Sequence, residues 1–525
     1  MRVRLPIAEW LPAYDRRHLR GDVAAGIAVT ALIVPKNLGY AGIAGVPLQN
    51  GLYAAAAGAI VYALFCTSRQ ISTGPSSSLA AVAGGAVVVT SLGGEQAAEL
   101  VAAITLISGL LYLVLALLRL GWIARFLSKA VITGFLAGAA VDVIIGELPK
   151  LTGTDADGEN AWRELGSWVA SLGDVSWATL ALGTLGLALI LALRFRAPAV
   201  PGALVLVAAG IAAARVFDLE AHGVALVGDV PSGLPTPAIP SPSLVADHAA
   251  TVAIAAFALL LIGFSQTAGD ARAFAARHRY AIDVDQESIA QGMANVGAGL
   301  VRGMPVTTSL SASSLNESAG ARTPLASLIT GGLVVLTLLF LAPLFSDLPK
   351  AILGVVIIDA VAFGMIDLAE FRRLRRIASF DFWIALAAVV GVLSVGVLAG
   401  VAVGIALSLL WLVRVATSPA MPLLGDEDGV VTLRLDGGLF FATSQALEDR
   451  VRELLADGAV GAVVLDLESV NYIDSQGAAQ LAAILELVEE AGATLRVARV
   501  RPGVLEVLRA DGFAERVLDE ERLGV

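Results

Sequence analysis

The chain has 525 residues, 57% of them hydrophobic and 15% charged, with a formal net charge of −11. A soluble globular protein carries about 25% charged residues. The mean hydropathy of +0.80 and repeated apolar runs of about 20 residues exclude that class and make this a polytopic membrane protein.

Residues 1–20 hold Arg2, Arg4, Arg16, Arg17 and Arg20 and read as a cytoplasmic amphipathic lead-in. They lack the apolar core and small-residue cleavage site of a signal peptide. Residues 21–418 carry fourteen candidate transmembrane spans, at about 22–44, 50–66, 76–92, 97–118, 124–146, 177–195, 199–216, 249–270, 282–301, 307–320, 324–343, 350–366, 381–398 and 399–417. The single cysteine, Cys66, falls at the end of the second and reads as a packed thiol; alone it can form no internal disulfide.

The third and tenth spans are unlike the others. The tenth lies in Gly303–Ala319, GMPVTTSLSASSLNESA, and the third opens with Gly74-Pro75-Ser76-Ser77-Ser78 before an apolar run to Thr90. Pro305 and Pro75 block a preceding helical turn, and the hydroxyls can serve exposed backbone groups, so each segment predicts a short helix starting within the membrane. Fourteen spans divide as seven plus seven, which puts the two breaks at the same place in each half, as an inverted repeat requires. Helix N-termini carry roughly half a positive charge and free N–H groups, so two of them meeting near mid-bilayer make a pocket for an anion.

Loop charges set the orientation. Arg69, Arg119 with Arg125 and Lys129, Arg194 with Arg196, Arg272 with Arg277 and Arg279, Arg322, and the run Arg372-Arg373-Leu374-Arg375-Arg376 fall on alternate loops. Asp155, Asp157, Glu159 and the Lys/Arg-free stretch 218–248 fall on the others; Arg302 is the exception. Both termini are therefore expected in the cytoplasm, with the chain in the cell (inner) membrane. Residues 419–525 change character and alternate strand and helix patterns: a strand pair over 430–442, a helix over 443–457, strands at 462–469 and 494–500, and helices at 476–491 and 502–511. That order predicts a small α/β domain.

Several segments together resemble the sulfate permease (SulP) family, called solute carrier family 26 in animals. They are DVAAGIAVTALIVPKNLGYAGIAGVPLQNGLYAAAAGAIVYALF (22–65), SRQISTGPSS (68–77), ARHRYAIDVDQESIAQGMANVGAGL (276–300) and RGMPVTTSLSASSLNESAGARTPLASL (302–328). The C-terminal part is similar to a STAS domain through GGLFFA, VVLDL and NYIDSQG (471–477). The resemblance implies fourteen spans in core and gate subdomains, a homodimer, and transport of small inorganic or organic anions.

It also implies site residues, and departures from the family pattern are informative. In Pro35-Lys36-Asn37-Leu38-Gly39-Tyr40 the residue after the proline is usually Gln; here Lys36 would supply fixed positive charge, or else snorkel or pair with an acid. Tyr40, one turn on, would share its face or serve only interhelix packing. The tenth span often has Ser-Arg-Ser where this chain has Ser311-Ala312-Ser313, and Lys36 is expected to relocate the missing charge. Ser76 and Ser77 with Ser309, Leu310, Ser311 and Ala312 are the remaining substrate-binding candidates, against a packing role for the small polar residues. In the eighth span many relatives have an acid where Gln266 stands. Asp270, four residues on, either takes over ion coupling with H⁺ or Na⁺ or pairs with Arg272 or Arg277. Ser475 in Asp474-Ser475-Gln476-Gly477 matches a serine phosphorylated in soluble antagonists of this fold, and reads otherwise as a helix N-cap. Asp142 and Asp359, acids within apolar runs, are functional candidates by default; because they lie away from the two breaks in sequence, structural pairing is the leading expectation for them.

The four histidines, 18, 222, 248 and 278, lie in loops or span ends and are expected to be solvated. None has metal-ligand spacing, so no metal or cofactor is expected beyond a coupling ion. No catalytic constellation or nucleotide motif is present, so an enzyme and a nucleic-acid binder are not expected. The leading expectation is a secondary anion transporter for sulfate, bicarbonate or chloride working by alternating access. Alternatives are a nucleobase-type transporter of the same fold, or a membrane sensor that signals to a cytoplasmic partner through its STAS domain.

Overall fold

A computed structural model describes residues 5–118 and 129–517, apart from 157, 159, 199, 378, 428 and 457–459. The charges at Arg2, Arg4, Arg119, Arg125, Asp157 and Glu159 and the start of the predicted fifth span lie outside them. The chain divides into two compact units, Met1–Ser408 and Leu409–Val525.

The first unit is helical. In chain order it contains α1 (Ile7–Trp10), α2 (Leu19–Ile43), α3 (Leu48–Phe65), β1 (Thr73–Pro75), α4 (Ser77–Thr90), α5 (Gly94–Leu117), α6 (Lys129–Thr152), α7 (Ala161–Ala170), α8 (Trp177–Arg196) and α9 (Gly202–Val216). There follow α10 (Pro242–Asp247), α11 (Ala249–His278), α12 (Val284–Leu300), β2 (Val306–Thr308), α13 (Leu310–Ser318), α14 (Leu325–Leu336), α15 (Lys350–Gly364), α16 (Leu368–Ile377) and α17 (Ser379–Val395), and α18 (Val397–Thr417) begins in this unit and ends in the second. Each of the fourteen apolar segments overlaps a helix among the described residues. Among the described residues, 8 helical stretches are long and apolar enough to cross a membrane alone. The helices of the third, seventh, ninth, tenth and thirteenth segments are shorter, and the third and tenth begin only after a short strand.

The helices sort into two groups. In one, α12 packs on α5 and α3, α14 on α2 and α3, and α11 on α5; in the other, α17 packs on α6, and α15 on α6 and α8. Close approach depends on small residues, as is usual where lipid removes the hydrophobic drive for helix association. A Cβ on Gly109 of α5 would lie 2.8 Å from the Gly292 carbonyl of α12, so only glycine admits this crossing. Gly134 of α6 meets the Ala385 carbonyl of α17 in the same way.

The second unit is a four-stranded sheet in the order β3-β4-β5-β6, with β3 (Leu423–Glu427), β4 (Val430–Arg434), β5 (Ala462–Asp466) and β6 (Thr494–Ala498). β3 and β4 pair antiparallel, and β4–β5 and β5–β6 are parallel. Around the sheet run α19 (Ser444–Ala456), α20 (Ser475–Glu490), α21 (Pro502–Asp511) and α22 (Phe513–Val517). Alternating Leu433, Val463, Leu465, Leu495 and Val497 are buried with Leu481 and Ile484 of α20. The strand pair expected within 430–442 is corrected. β4 pairs instead with the preceding Leu423–Glu427, because Gly437 at φ +152 breaks the strand after Arg434 and turns the chain away.

Candidate functional site

β1 and β2 form an antiparallel ladder of three residue pairs, Thr73 with Thr308, Gly74 with Thr307 and Pro75 with Val306. Each strand runs directly into a helix, β1 into α4 and β2 into α13. Antiparallel pairing makes the two helices depart in opposite directions, so their N-termini face each other across the ladder. Three residues at about 3.3 Å each separate them by about 10 Å. The caps match: the Ser76 hydroxyl accepts from the Leu79 N–H at 3.4 Å, and the Ser309 hydroxyl accepts from the Ala312 N–H at 3.3 Å. Two amino ends with their positive dipoles aimed at one gap favour an anion there.

Backbone so placed must be satisfied from within the protein. Asn295 of α12 does this for Val306: its Oδ1 accepts from the Val306 N–H at 3.0 Å and its Nδ2 donates to the Val306 carbonyl at 3.0 Å. Gln291 donates to the same carbonyl at 2.6 Å. On the other side the Ser309 N–H donates to the Ser72 carbonyl at 3.0 Å, and the Ser72 N–H to Ser313 Oγ at 2.9 Å.

A cavity of about 510 Å³ opens at the facing helix ends. Ser76 and Ser77 line it from one end and Ser309, Leu310 and Ser311 from the other, with Lys36 and Tyr40 from α2 and Gln266 and Asp270 from α11. Nine of the ten membrane-part candidates are thereby brought together. Ala312 is the tenth: it is buried at 3% exposure and touches only a small adjoining void. Its N–H donates to the Ser309 cap.

Pro35 lies inside α2 and has no N–H, so the Ala31 carbonyl lacks its helical donor. The next residue, Lys36, and Tyr40 one turn later reach the cavity. Among the described residues, Lys36 has no hydrogen-bond or ion-pair partner. That sets it apart from the other cation at the cavity, Arg194.

Sequence reasoning missed Arg194 here, and singled out Asp359 without its partner or its place at this cavity. Arg194 of α8, read as a loop charge, forms a two-pronged pair with Asp359 of α15: Nε donates to Oδ1 at 2.8 Å and a terminal nitrogen to Oδ2 at 2.6 Å. The guanidinium also sits 4.2 Å from the ring centre of Phe363. Asp359 is thus paired as expected, yet it also lines the cavity with Lys36. Lys36, Arg194 and Asp359 further form the wall of a neighbouring cavity of about 310 Å³. The loop assignment of Arg194 failed because α8 continues to Arg196; the signal available was an arginine and an aspartate each embedded in an apolar run.

Asp270 does not pair with Arg272 or Arg277. Its Oδ2 accepts from Thr308 Oγ1 of β2 at 2.8 Å, while Arg277 bonds Glu317 at 2.6 Å. Gln266 donates to Ser78 at 3.1 Å, and its Oε1 is buried without a partner among the described residues. His278 is not simply solvated: it bonds Glu317 at 2.5 Å. Asp142 shows no pair among the described residues and borders a separate cavity with Gly396 and Val397. In the second unit Asp474, rather than Ser475, caps α20, accepting from the Gly477 N–H at 2.7 Å. The carboxylate one residue earlier reaches the helix end and leaves Ser475 exposed at the first helical position.

A profile of the sulfate permease family matches residues 19–388. The chain belongs to that family. A STAS domain profile matches residues 423–522 of this family member. A probable sulfate transporter of Mycobacterium tuberculosis is 36% identical over 97% of this chain and 95% of its own. Sulfate transporter 4.1, chloroplastic, of Arabidopsis thaliana is 28% identical over 98% of this chain and 81% of its own. Among solved structures, murine Solute Carrier 26 family member A9, an anion transporter in the inward-facing state, superposes with a TM-score of 0.86 at 21% identity, covering 99% of this chain and 92% of that one. The transmembrane domain of a cyanobacterium bicarbonate transporter gives 0.63 at 18% identity, covering 76% and 98%. The permease is a multi-pass membrane protein with a C-terminal STAS domain, in the fold expected from the sequence.

Proposed function

We propose that this permease is a secondary transporter of small inorganic anions of the sulfate, bicarbonate or chloride class. The observation that carries the reading is one cavity holding two facing helix N-termini and an unpaired lysine ammonium. Backbone N–H groups and the Ser76 and Ser309 ends would bind the anion, Lys36 would neutralise it, and Tyr40, Ser77, Leu310 and Ser311 would shape its pocket. Alternating access follows if the group of α2–α5 and α11–α14 moves the ladder past the group of α6, α8, α9, α15 and α17. Asp270 is the proposed coupling carboxylate for H⁺ or Na⁺: it is tied through Thr308 to β2, so occupancy of the site and its ionisation share a strand.

The relatives' printed names, sulfate and bicarbonate transporters, support the substrate class. A homodimer in the inner membrane, fourteen spans with both termini cytoplasmic, division into membrane and STAS parts near residue 418, and a STAS partner regulated through exposed Ser475 complete the proposal. Uptake of radiolabelled sulfate, bicarbonate and chloride into proteoliposomes containing the full chain tests it. Uptake of at least one above protein-free liposomes is expected. Uptake of labelled uracil alone would favour the nucleobase reading, and no uptake of any solute the sensor reading; either would overturn the proposal.

A further inference from the structure

Four charged side chains line the central cavity, Lys36, Arg194, Asp270 and Asp359, and only one of the two cations is free. Asp359 has 6% of its side chain exposed and Arg194 has 35%. Both guanidinium edges that meet Asp359 are used in the two-pronged pair, and Phe363, from the same helix as Asp359, covers the guanidinium face. α15 therefore clamps Arg194 on two sides and cancels its charge. Asp270 accepts a hydrogen bond from the neutral Thr308 hydroxyl and keeps its own charge. An anion entering the cavity meets Lys36 as the one cation there without a hydrogen-bond or ion-pair partner among the described residues, with Asp359 acting on it only through its field.

We infer that Asp359 is a resident counter-anion that determines substrate valence: by holding Arg194 it limits the site to one free positive charge. The inference rests on the anion-transport reading above and adds to it the residue that discriminates monovalent from divalent anions. Two adjacent free cations stabilise a dianion more than a monoanion, because the extra attraction scales with the substrate's charge. One free cation gives a dianion a smaller advantage, and its second charge is balanced only by helix ends. A carboxylate protected in the wall is suited to this role, since it competes with substrate for Arg194 without occupying the pocket.

The test is the ratio of half-saturation constants for sulfate and chloride, measured by uptake into proteoliposomes with the full chain. Asp359→Asn frees Arg194, and the ratio is expected to shift toward sulfate by about tenfold or more. The double variant Asp359→Asn/Arg194→Gln removes the pair while keeping Lys36 as the one free cation, and the ratio is expected within about threefold of wild type. Arg194→Gln alone leaves Asp359 to oppose the substrate, and the ratio is expected to shift away from sulfate by about tenfold. Each variant is checked for a monodisperse gel-filtration peak. If Asp359→Asn does not fold, Arg194→Gln is decisive. An unchanged ratio in whichever of these single variants folds, or the same shift in single and double Asp359 variants, overturns the inference. Absence of uptake in the wild-type protein is a different result and overturns the transport reading instead.

Discussion

Replacing Lys36 by glutamine is the sharpest perturbation of the pocket. It removes the one cation at the cavity that lacks a partner among the described residues, and keeps a side chain of similar length. At about 4 Å and an effective dielectric constant of about 20, a unit charge pair is worth about 4 kcal/mol. Desolvation of both ions offsets half or more of that, which leaves about 1.4–2 kcal/mol, or about a ten- to thirtyfold weaker Kd. Titration calorimetry of purified full-length protein with sulfate and with chloride measures it directly, and Lys36→Arg, which restores the charge, is expected to recover most of the loss. Unchanged affinity in Lys36→Gln, with the protein intact, would refute the assignment of the fixed charge to α2 and leave the helix ends as the sole attraction.

Two further outcomes follow from the same geometry. Asp270→Asn keeps an acceptor for Thr308 but cannot ionise; uptake driven by a proton or sodium gradient is expected to fall to the level seen without a gradient, whereas exchange of labelled for unlabelled anion persists. Gradient-driven uptake that survives this substitution dismisses Asp270 as the coupling group. Asn295→Leu strands both polar groups of Val306 that Asn295 serves, with partial rescue of the carbonyl by Gln291. It is expected to cost about 1–3 kcal/mol as a lower unfolding midpoint in detergent and to reduce maximal transport, while a change at an exposed loop residue such as Ser232→Ala leaves both near wild type.

Much of this was legible in the sequence, for identifiable reasons. Pro75 and Pro305 betray the two breaks because proline has no N–H to give a preceding helical turn, and a strand-to-helix transition is what the chain does there. The clustering of Lys36, Tyr40, Gln266 and Asp270 at those breaks followed from the family pattern, with helical spacing pairing Tyr40 to Lys36 and Asp270 to Gln266. Other features were out of reach. The Arg194–Asp359 pair joins residues 165 positions apart, and an arginine near a span end looks the same whether it faces water or a partner. Strand β3 was hidden because Leu423-Leu424-Gly425-Asp426-Glu427 shows no apolar–polar alternation; pairing with β4 decides it. Ser475 and Asp474 compete for one helix end, and only the backbone angle at Asp474, extended at φ −104 and ψ 178, settles which of them caps.

The width of the gap between α4 and α13 is inherited from main chain. Three paired residues set it, and side-chain exchanges in the lipid-facing helices leave that ruler uncut. Inserting or deleting one residue in either strand would reset the gap by about 3.3 Å, roughly the size of one oxygen atom. Size selection in this pocket is therefore coarse-grained by chain length and fine-tuned by hydroxyls, so relatives that keep the three-residue ladder are expected to accept cargo of similar girth even where the surrounding charges differ.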